Sequence, residues 1–160
     1  MVILSREAFL KRLRKGHDLQ LDVGRRFLSE GFITRVHEYQ ERGTDAYDIL
    51  VKPTERSNWR DIEVKGNGKF WNNVDDFPYK SVFVETKKRR EGRKTMPIYY
   101  VIVSYKTGEA LCIHNNTHPH WRSMRTMDTQ KGYYDDFLTC PKELCETWDE
   151  MIERLGGIVR

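Results

Sequence analysis

Apolar and polar residues alternate along this chain with periods that change several times, and each period predicts a type of element. Toward the N-terminus, apolar residues recur at helical spacing, which predicts a helix over about 6–15. Gly16 interrupts this pattern, so a second helix is expected from about 18 to 30, with Gly31 as its C-terminal stop. Shorter apolar runs rich in β-branched and aromatic residues predict strands. They lie near residues 32–39, 46–52, 60–65, 81–87, 98–104 and 109–114.

The rest of the pattern indicates the fold class. Residues 98–104 form the most apolar stretch and do not alternate, which is typical of a central strand covered on both faces. Apolar residues at helical spacing predict a C-terminal helix over about 141–155. Helices before and after a series of strands predict an α/β or α+β protein, with a mixed central sheet flanked by helices. By its length of 160 residues, the chain is expected to form one domain.

Two of the predicted strands carry the most informative polar residues. Asp48 begins the first, and Glu63 and Lys65 lie in the second. The polar stretch between them has turn chemistry, so the two strands are expected to form an antiparallel hairpin. Because side chains alternate across a strand, Glu63 and Lys65 point to one face. With Asp48 on the facing strand, two carboxylates and an ammonium group converge.

This set of groups suits the hydrolysis of a phosphodiester. Two neighbouring carboxylates hold a hard divalent cation such as Mg²⁺, which prefers oxygen ligands. The cation lowers the pKa of a bound water and offsets charge on a phosphodiester oxygen. A lysine beside it can orient or deprotonate the attacking water. The pattern therefore predicts a site that cleaves a nucleic-acid backbone.

Asp48, followed fifteen residues later by Glu63-Val64-Lys65, resembles the PD-(D/E)XK nuclease superfamily. That group includes restriction enzymes, archaeal-type Holliday junction resolvases and many phage nucleases. The segment 22–32 is similar to the opening helix of the family, and the likeness covers roughly residues 18–113.

The resemblance implies a restriction-endonuclease-like core and a metal-dependent endonuclease that acts on DNA. It implies that Asp48 and Glu63 bind Mg²⁺ or Mn²⁺, that Lys65 serves the water, and that Asp22 is the helix carboxylate. Many members cut two strands as dimers, so a homodimer is also implied.

A second triplet of the same type leaves an alternative open. Glu85-Thr86-Lys87 also lies in a strand-like run, and Asp48 or Asp76 could serve it. Glu63 and Lys65 are favoured because their strand follows a hairpin partner and ends in Gly66, where backbone can approach a ligand closely. The segment 66–78 that follows is rich in helix breakers and predicts a loop.

The formal charge of +4 is unevenly distributed. Residues 87–94 form a dense basic run, which is expected to hold the DNA backbone by neutralising phosphates. The alternative is a solvated hairpin tip. The residues expected to contact DNA are Lys87, Lys88, Arg89, Arg90, Arg93 and Lys94.

The remaining features of the sequence concern the cellular location of the protein and the competing hypotheses for its function. No leading apolar segment suits a signal peptide and no apolar run suits a membrane span, and the three cysteines are expected to be reduced. These features predict a cytoplasmic protein, in the host cytoplasm if a phage encodes it. One competing hypothesis is a non-catalytic nucleic-acid-binding or accessory protein with the same fold. Another is a small interaction protein that uses its acidic C-terminal helix.

Overall fold

The computed structural model describes residues 6–37, 47–128 and 131–156. These residues form three α-helices, α1 (Arg6–Ser29), α2 (Lys87–Glu91) and α3 (Trp148–Arg154). Short 3₁₀ helices cover Asn115–His120 and Lys142–Leu144. The strands are β1 (Ile33–Val36), β2 (Ile49–Lys52), β3 (Arg60–Asn67), β4 (Ser81–Thr86), β5 (Tyr99–Ser104), β6 (Ala110–His114), β7 (Arg122–Asp128) and β8 (Tyr133–Pro141).

Five strands form a mixed sheet in the order β1-β2-β3-β5-β6. Only the central pair, β3 and β5, is parallel, and the chain between them contains β4 and α2. All six residues of β5 are buried, as its unbroken apolar run predicts. The mixed central sheet flanked by helices is confirmed. Each predicted strand is present; residues 38, 39 and 46, which those predictions included, lie outside the described residues.

A second sheet of three antiparallel strands has the order β4-β8-β7 and packs on the first. Helices α1 and α3 cover one face of the five-stranded sheet, where Phe27 packs in one core with Val64. Strands β4 and β8 cover the opposite face, where Val82 packs in a second core with Tyr100. Because side chains alternate along β3, Glu63 faces the second sheet while Val64 faces the helices.

Helix α1 is continuous, so the predicted break at Gly16 is wrong. A glycine inside a helix costs about 1 kcal/mol relative to alanine. Burial of Leu19, Val23 and Phe27 against the sheet compensates for that cost. The predicted stop is confirmed: Gly31 has φ of 91°, which an L side chain rarely adopts.

The C-terminal helix is shorter than predicted. A 3₁₀ helix at Lys142–Leu144 is followed by extended backbone, where Glu146 pairs with Cys112. The α-helix begins only after Thr147, whose side chain forms a capping box with Glu150. None of the helices formed by the described residues has the length and apolar character needed to span a bilayer.

Candidate active site

The register of the β2–β3 hairpin brings Asp48 next to Glu63. Ile49 pairs with Ile62 in this antiparallel ladder, and Asp48 and Glu63 are the next residues outward on their two chains. Asp48 Oδ2 accepts a hydrogen bond from the backbone N–H of Val64 at 2.9 Å. This contact fixes the start of β2 against β3, as the hairpin prediction requires.

Glu63 is the most enclosed acid of this group, with 2% of its surface exposed. Its Oε1 accepts a hydrogen bond from Lys65 Nζ at 3.1 Å and lies 3.0 Å from an Arg93 guanidinium nitrogen. Arg89 approaches the same oxygen to 3.5 Å. The other oxygen, Oε2, is buried and accepts no hydrogen bond from any residue that the structure describes. Glu63 therefore keeps one buried acceptor open.

The two neighbouring carboxylates have opposite pKa shifts. Burial, followed by the negative charge of Glu63, raises the pKa of Asp48 to about 7. Burial alone would raise the pKa of Glu63 too. Lys65, then Arg93 and Arg89, outweigh burial and hold the pKa of Glu63 below its ordinary value. Glu63 is thus ionised near neutral pH, where Asp48 exchanges its proton.

Two further residues of this group have no role in the sequence-based prediction. Gln20 of α1 donates to Asp48 Oδ1 at 3.0 Å. Asp61 lies two positions before Glu63 and so on the same face of β3. Burial, then the charge of Glu63, raises the pKa of Asp61 to about 6. The alternation of Asp61 with Glu63 was visible in the sequence, whereas the Gln20 contact depends on how α1 packs.

The structure does not bring Asp22 to these residues. Its side chain is 60% exposed and pairs with Arg25 of the same helix at 3.1 Å. Two helical positions correspond to a rotation of about 200°, so Asp22 lies across the helix from Gln20. The helix residue that contacts Asp48 is therefore an amide and not the predicted carboxylate.

The alternative triplet has no open carboxylate. Glu85 is buried and accepts three hydrogen bonds from Arg93, at 2.7, 2.9 and 3.2 Å, and another from the Tyr100 hydroxyl. Lys87 is exposed at the start of α2, beyond the end of the strand. The ring of Tyr105 occupies the position that a side chain at residue 66 would take, while Gly66 itself is exposed, so the approach of a ligand to its backbone stays a prediction.

The basic run is only partly available to a ligand. It forms α2 and the turn after it, not a hairpin tip. Arg90 is buried, donates to Tyr100 and Asn115, and lies over the ring of Trp121. The Arg93 side chain is 8% exposed between Glu63 and Glu85. Acids and aromatic rings therefore already engage Arg90 and Arg93, which does not favour the predicted contact of these two residues with DNA phosphates. The exposed cations of the run are Lys87, Lys88 and Lys94.

A groove of about 1270 Å³ opens beside these residues, between α2, the end of β3 and the three-stranded sheet. Lys65 lines it, and so do Lys88 and Lys94 of the basic run. The opposite wall comes from the β7–β8 hairpin and includes Tyr133.

The donor set is suited to a divalent cation bound by few protein ligands. Among the described residues, no three His, Cys, Asp or Glu side chains lie close enough together to hold a metal by themselves. Mg²⁺ is commonly held by one or two carboxylates, with water and substrate phosphate completing its shell. The open Oε2 of Glu63 and the adjacent carboxylate of Asp48 fit that requirement.

Comparison with solved structures finds a similar fold in Hjc, a Holliday junction resolvase from the archaeal hyperthermophile Archaeoglobus fulgidus. The two structures have a TM-score of 0.50 and are 9% identical in sequence. The match covers 86% of this chain and 98% of the resolvase chain. No model of a known protein family matches this sequence, and no curated protein does. The likeness is one of fold, a mixed sheet flanked by helices.

Proposed function

We propose that this chain is a metal-dependent deoxyribonuclease of the PD-(D/E)XK superfamily that hydrolyses DNA phosphodiester bonds as an endonuclease. The observation that carries the proposal is the convergence of Asp48, Glu63 and Lys65, with one Glu63 oxygen buried and open. The fold similarity to a Holliday junction resolvase supports it.

Asp48 and Glu63 would hold Mg²⁺ or Mn²⁺. When bound, the cation supplies Lewis-acid chemistry at the phosphodiester and at the attacking water. Lys65 is 29% exposed and anchored on Glu63, so its ammonium is held where it can orient that water. Lys65 itself, then Arg93 and Arg89, lower the pKa of Glu63 and so keep it ionised. Asp48 must release its proton to act as a ligand, so cation binding strengthens as the pH rises through about 7.

DNA would lie along the exposed side of α2. Lys87, Lys88 and Lys94 are the cations of the basic run that phosphates can reach, with the half-exposed Arg89 next to the site. Cutting both strands of a duplex needs two sites, so a homodimer is part of the proposal. Light scattering, which measures the molar mass in solution with and without DNA, tests whether the protein forms this dimer.

The experiment that tests the function is cleavage of supercoiled plasmid and of a four-way junction in Mg²⁺, Mn²⁺ or chelator. Metal-dependent product, lost in chelator, is expected. The preferred substrate identifies the type of endonuclease. A folded protein that binds these DNAs but yields no product with either metal contradicts the proposal.

One observation favours a second candidate, a nucleic-acid-binding protein without catalysis. Three cationic side chains already surround Glu63 Oε1, so the charge of this acid is offset without a metal. This candidate predicts DNA affinity that is the same in metal and in chelator.

A further inference from the structure

The face of the three-stranded sheet that lines the groove carries two exposed aromatic rings, Tyr133 on β8 and Phe83 on β4. Cross-strand pairing sets Asp128 opposite Tyr133 and Met124 opposite Phe137, so these residues share one face. The ring of Phe83 on β4 lies 5.2 Å from that of Phe137, centroid to centroid. Phe83 is 44% exposed and Tyr133 is 52% exposed, and both line the groove.

Exposed rings in a groove favour one form of DNA over another. Aromatic side chains stack on unpaired bases, a contact worth roughly five-fold to a hundred-fold in affinity per base. In a duplex the base faces are already stacked on one another and are not available. Phe83 and Tyr133 could therefore stack on the bases of a single strand but not on those of a continuous duplex.

The two sides of the groove differ in charge: lysines line the α2 side, whereas the hairpin side carries two aspartates together with Lys131 of the turn. Lys88 and Lys94 line the α2 side. Asp128 and Asp135 lie on the hairpin face beside Tyr133, where they would repel a phosphate. These charges favour a strand that turns its bases toward the hairpin and its phosphates toward α2.

The groove is continuous with the candidate active site. Lys65 lines the groove, and its Nζ hydrogen-bonds to Glu63. Lys131 Nζ lies 6.0 Å from the ring centroid of Tyr133 and adds a cation at the turn of the hairpin.

We propose that this groove binds a single unpaired DNA strand, with bases stacked on Phe83 and Tyr133 and phosphates at Lys88 and Lys94. The inference rests on the proposed function and deepens it. The preferred substrate contains a single-stranded segment, and the three-stranded sheet is the element that selects it.

The test measures binding, without cleavage, in chelator. Fluorescence anisotropy compares a labelled thymidine oligonucleotide with a hairpin duplex of equal length. Tyr133→Ala and Phe83→Ala are each expected to weaken single-strand binding about five-fold or more, with less effect on the duplex. Tyr133→Phe retains the ring and is expected to bind like the parent.

The chain offers a matched control in Tyr134, which is 59% exposed and points to the opposite face of the same strand. Tyr134→Ala is expected to leave single-strand affinity unchanged. Equal losses for Tyr134→Ala and Tyr133→Ala would overturn the inference, as would equal affinity of the parent for both oligonucleotides. If Tyr133→Ala fails to fold, Phe83→Ala decides the question by the same comparison.

These outcomes are independent of the metal chemistry. Binding in chelator does not need Asp48 or Glu63 to hold a cation, so the stacking result stands whether or not the protein cuts DNA. Conversely, metal-dependent cleavage with no single-strand preference would overturn the groove assignment and leave the nuclease proposal intact.

Discussion

The Arg93 guanidinium forms an ion pair with the buried carboxylate of Glu63 at 3.0 Å, although thirty positions separate the two residues in the chain. The same guanidinium binds Glu85 at 2.7 Å and so links the two sheets. Removing one partner of a buried ion pair leaves an uncompensated charge. Arg93→Ala is therefore expected to lower the free energy of unfolding by about 3–5 kcal/mol, measured by urea denaturation.

The neighbouring residue supplies the control for that measurement. Lys94 is exposed, and Lys94→Ala is expected to change the free energy of unfolding by less than about 0.5 kcal/mol. Equal effects of the two substitutions would show that Arg93 does not hold the two acids together.

The raised pKa of Asp48 predicts that the free energy of unfolding depends on pH. An unfolded aspartate has a pKa near 3.9, whereas that of folded Asp48 is about 7. The folded state binds this proton more tightly, so the stability that Asp48 contributes below about pH 4 is lost as the pH rises to about 7. Asp48→Asn cannot ionise. In chelator at about pH 8, the free energy of unfolding of the variant is expected to exceed that of the parent by about 1 kcal/mol or more. Urea denaturation measures this difference.

Near pH 4 the difference between Asp48→Asn and the parent is expected to shrink. The pKa of Asp61 is raised in the same direction, to about 6, so some pH dependence remains in the variant. A parent protein that is as stable as Asp48→Asn at every pH would contradict the burial of an ionisable Asp48.

Metal binding is expected to stabilise the folded protein. A cation at a hundred times its dissociation constant adds about 2.7 kcal/mol, which corresponds to a rise in Tm of roughly 5–10 °C for a domain of this size. Differential scanning fluorimetry in Mn²⁺ tests this for the parent and for Glu63→Gln. The rise is expected in the parent and should be absent in the variant. A rise of equal size in both would place the cation elsewhere.

The exposed lysines of α2 and its following turn predict the salt dependence of DNA binding. Each phosphate contact contributes about 0.9 to the slope of log affinity against log salt concentration for duplex DNA. The double variant Lys88→Ala/Lys94→Ala is expected to reduce that slope by about 2, as measured by anisotropy titrations at several salt concentrations. Lys106→Ala, an exposed lysine in the turn between β5 and β6, serves as the control. An unchanged slope in the double variant would remove these lysines from the DNA interface.

Local patterns were sufficient for the centre of the fold. The hairpin of β2 and β3, and the approach of Asp48 to Glu63 within it, follow from two short strands joined by a turn. Lys65 on the face of Glu63 follows from the period of a strand. These features depend on neighbours in sequence, and for that reason they could be predicted.

Features that depend on distant partners could not be predicted in this way. Arg90 and Arg93 look like solvated cations in the sequence, yet acids and rings from other strands enclose them. Strand β7 has no buried residue, so it lacks the alternating apolar pattern by which a strand is recognised. In the sequence, Gly16 looks like the end of a helix. The helix tolerates this glycine because other residues of α1 pack against the sheet, and the sequence does not show that packing.

The proposed function requires that Asp48, Glu63 and Lys65 form a metal-dependent phosphodiesterase site. The most direct measurement is the rate of plasmid nicking in Mn²⁺ at about pH 8 by the parent, Glu63→Gln and Glu55→Gln. Glu55 is an exposed turn residue, 84% accessible, and its variant is the matched control. The parent and Glu55→Gln should nick at equal rates, and folded Glu63→Gln should be slower by about a hundred-fold or more. Equal nicking by all three proteins would contradict the account.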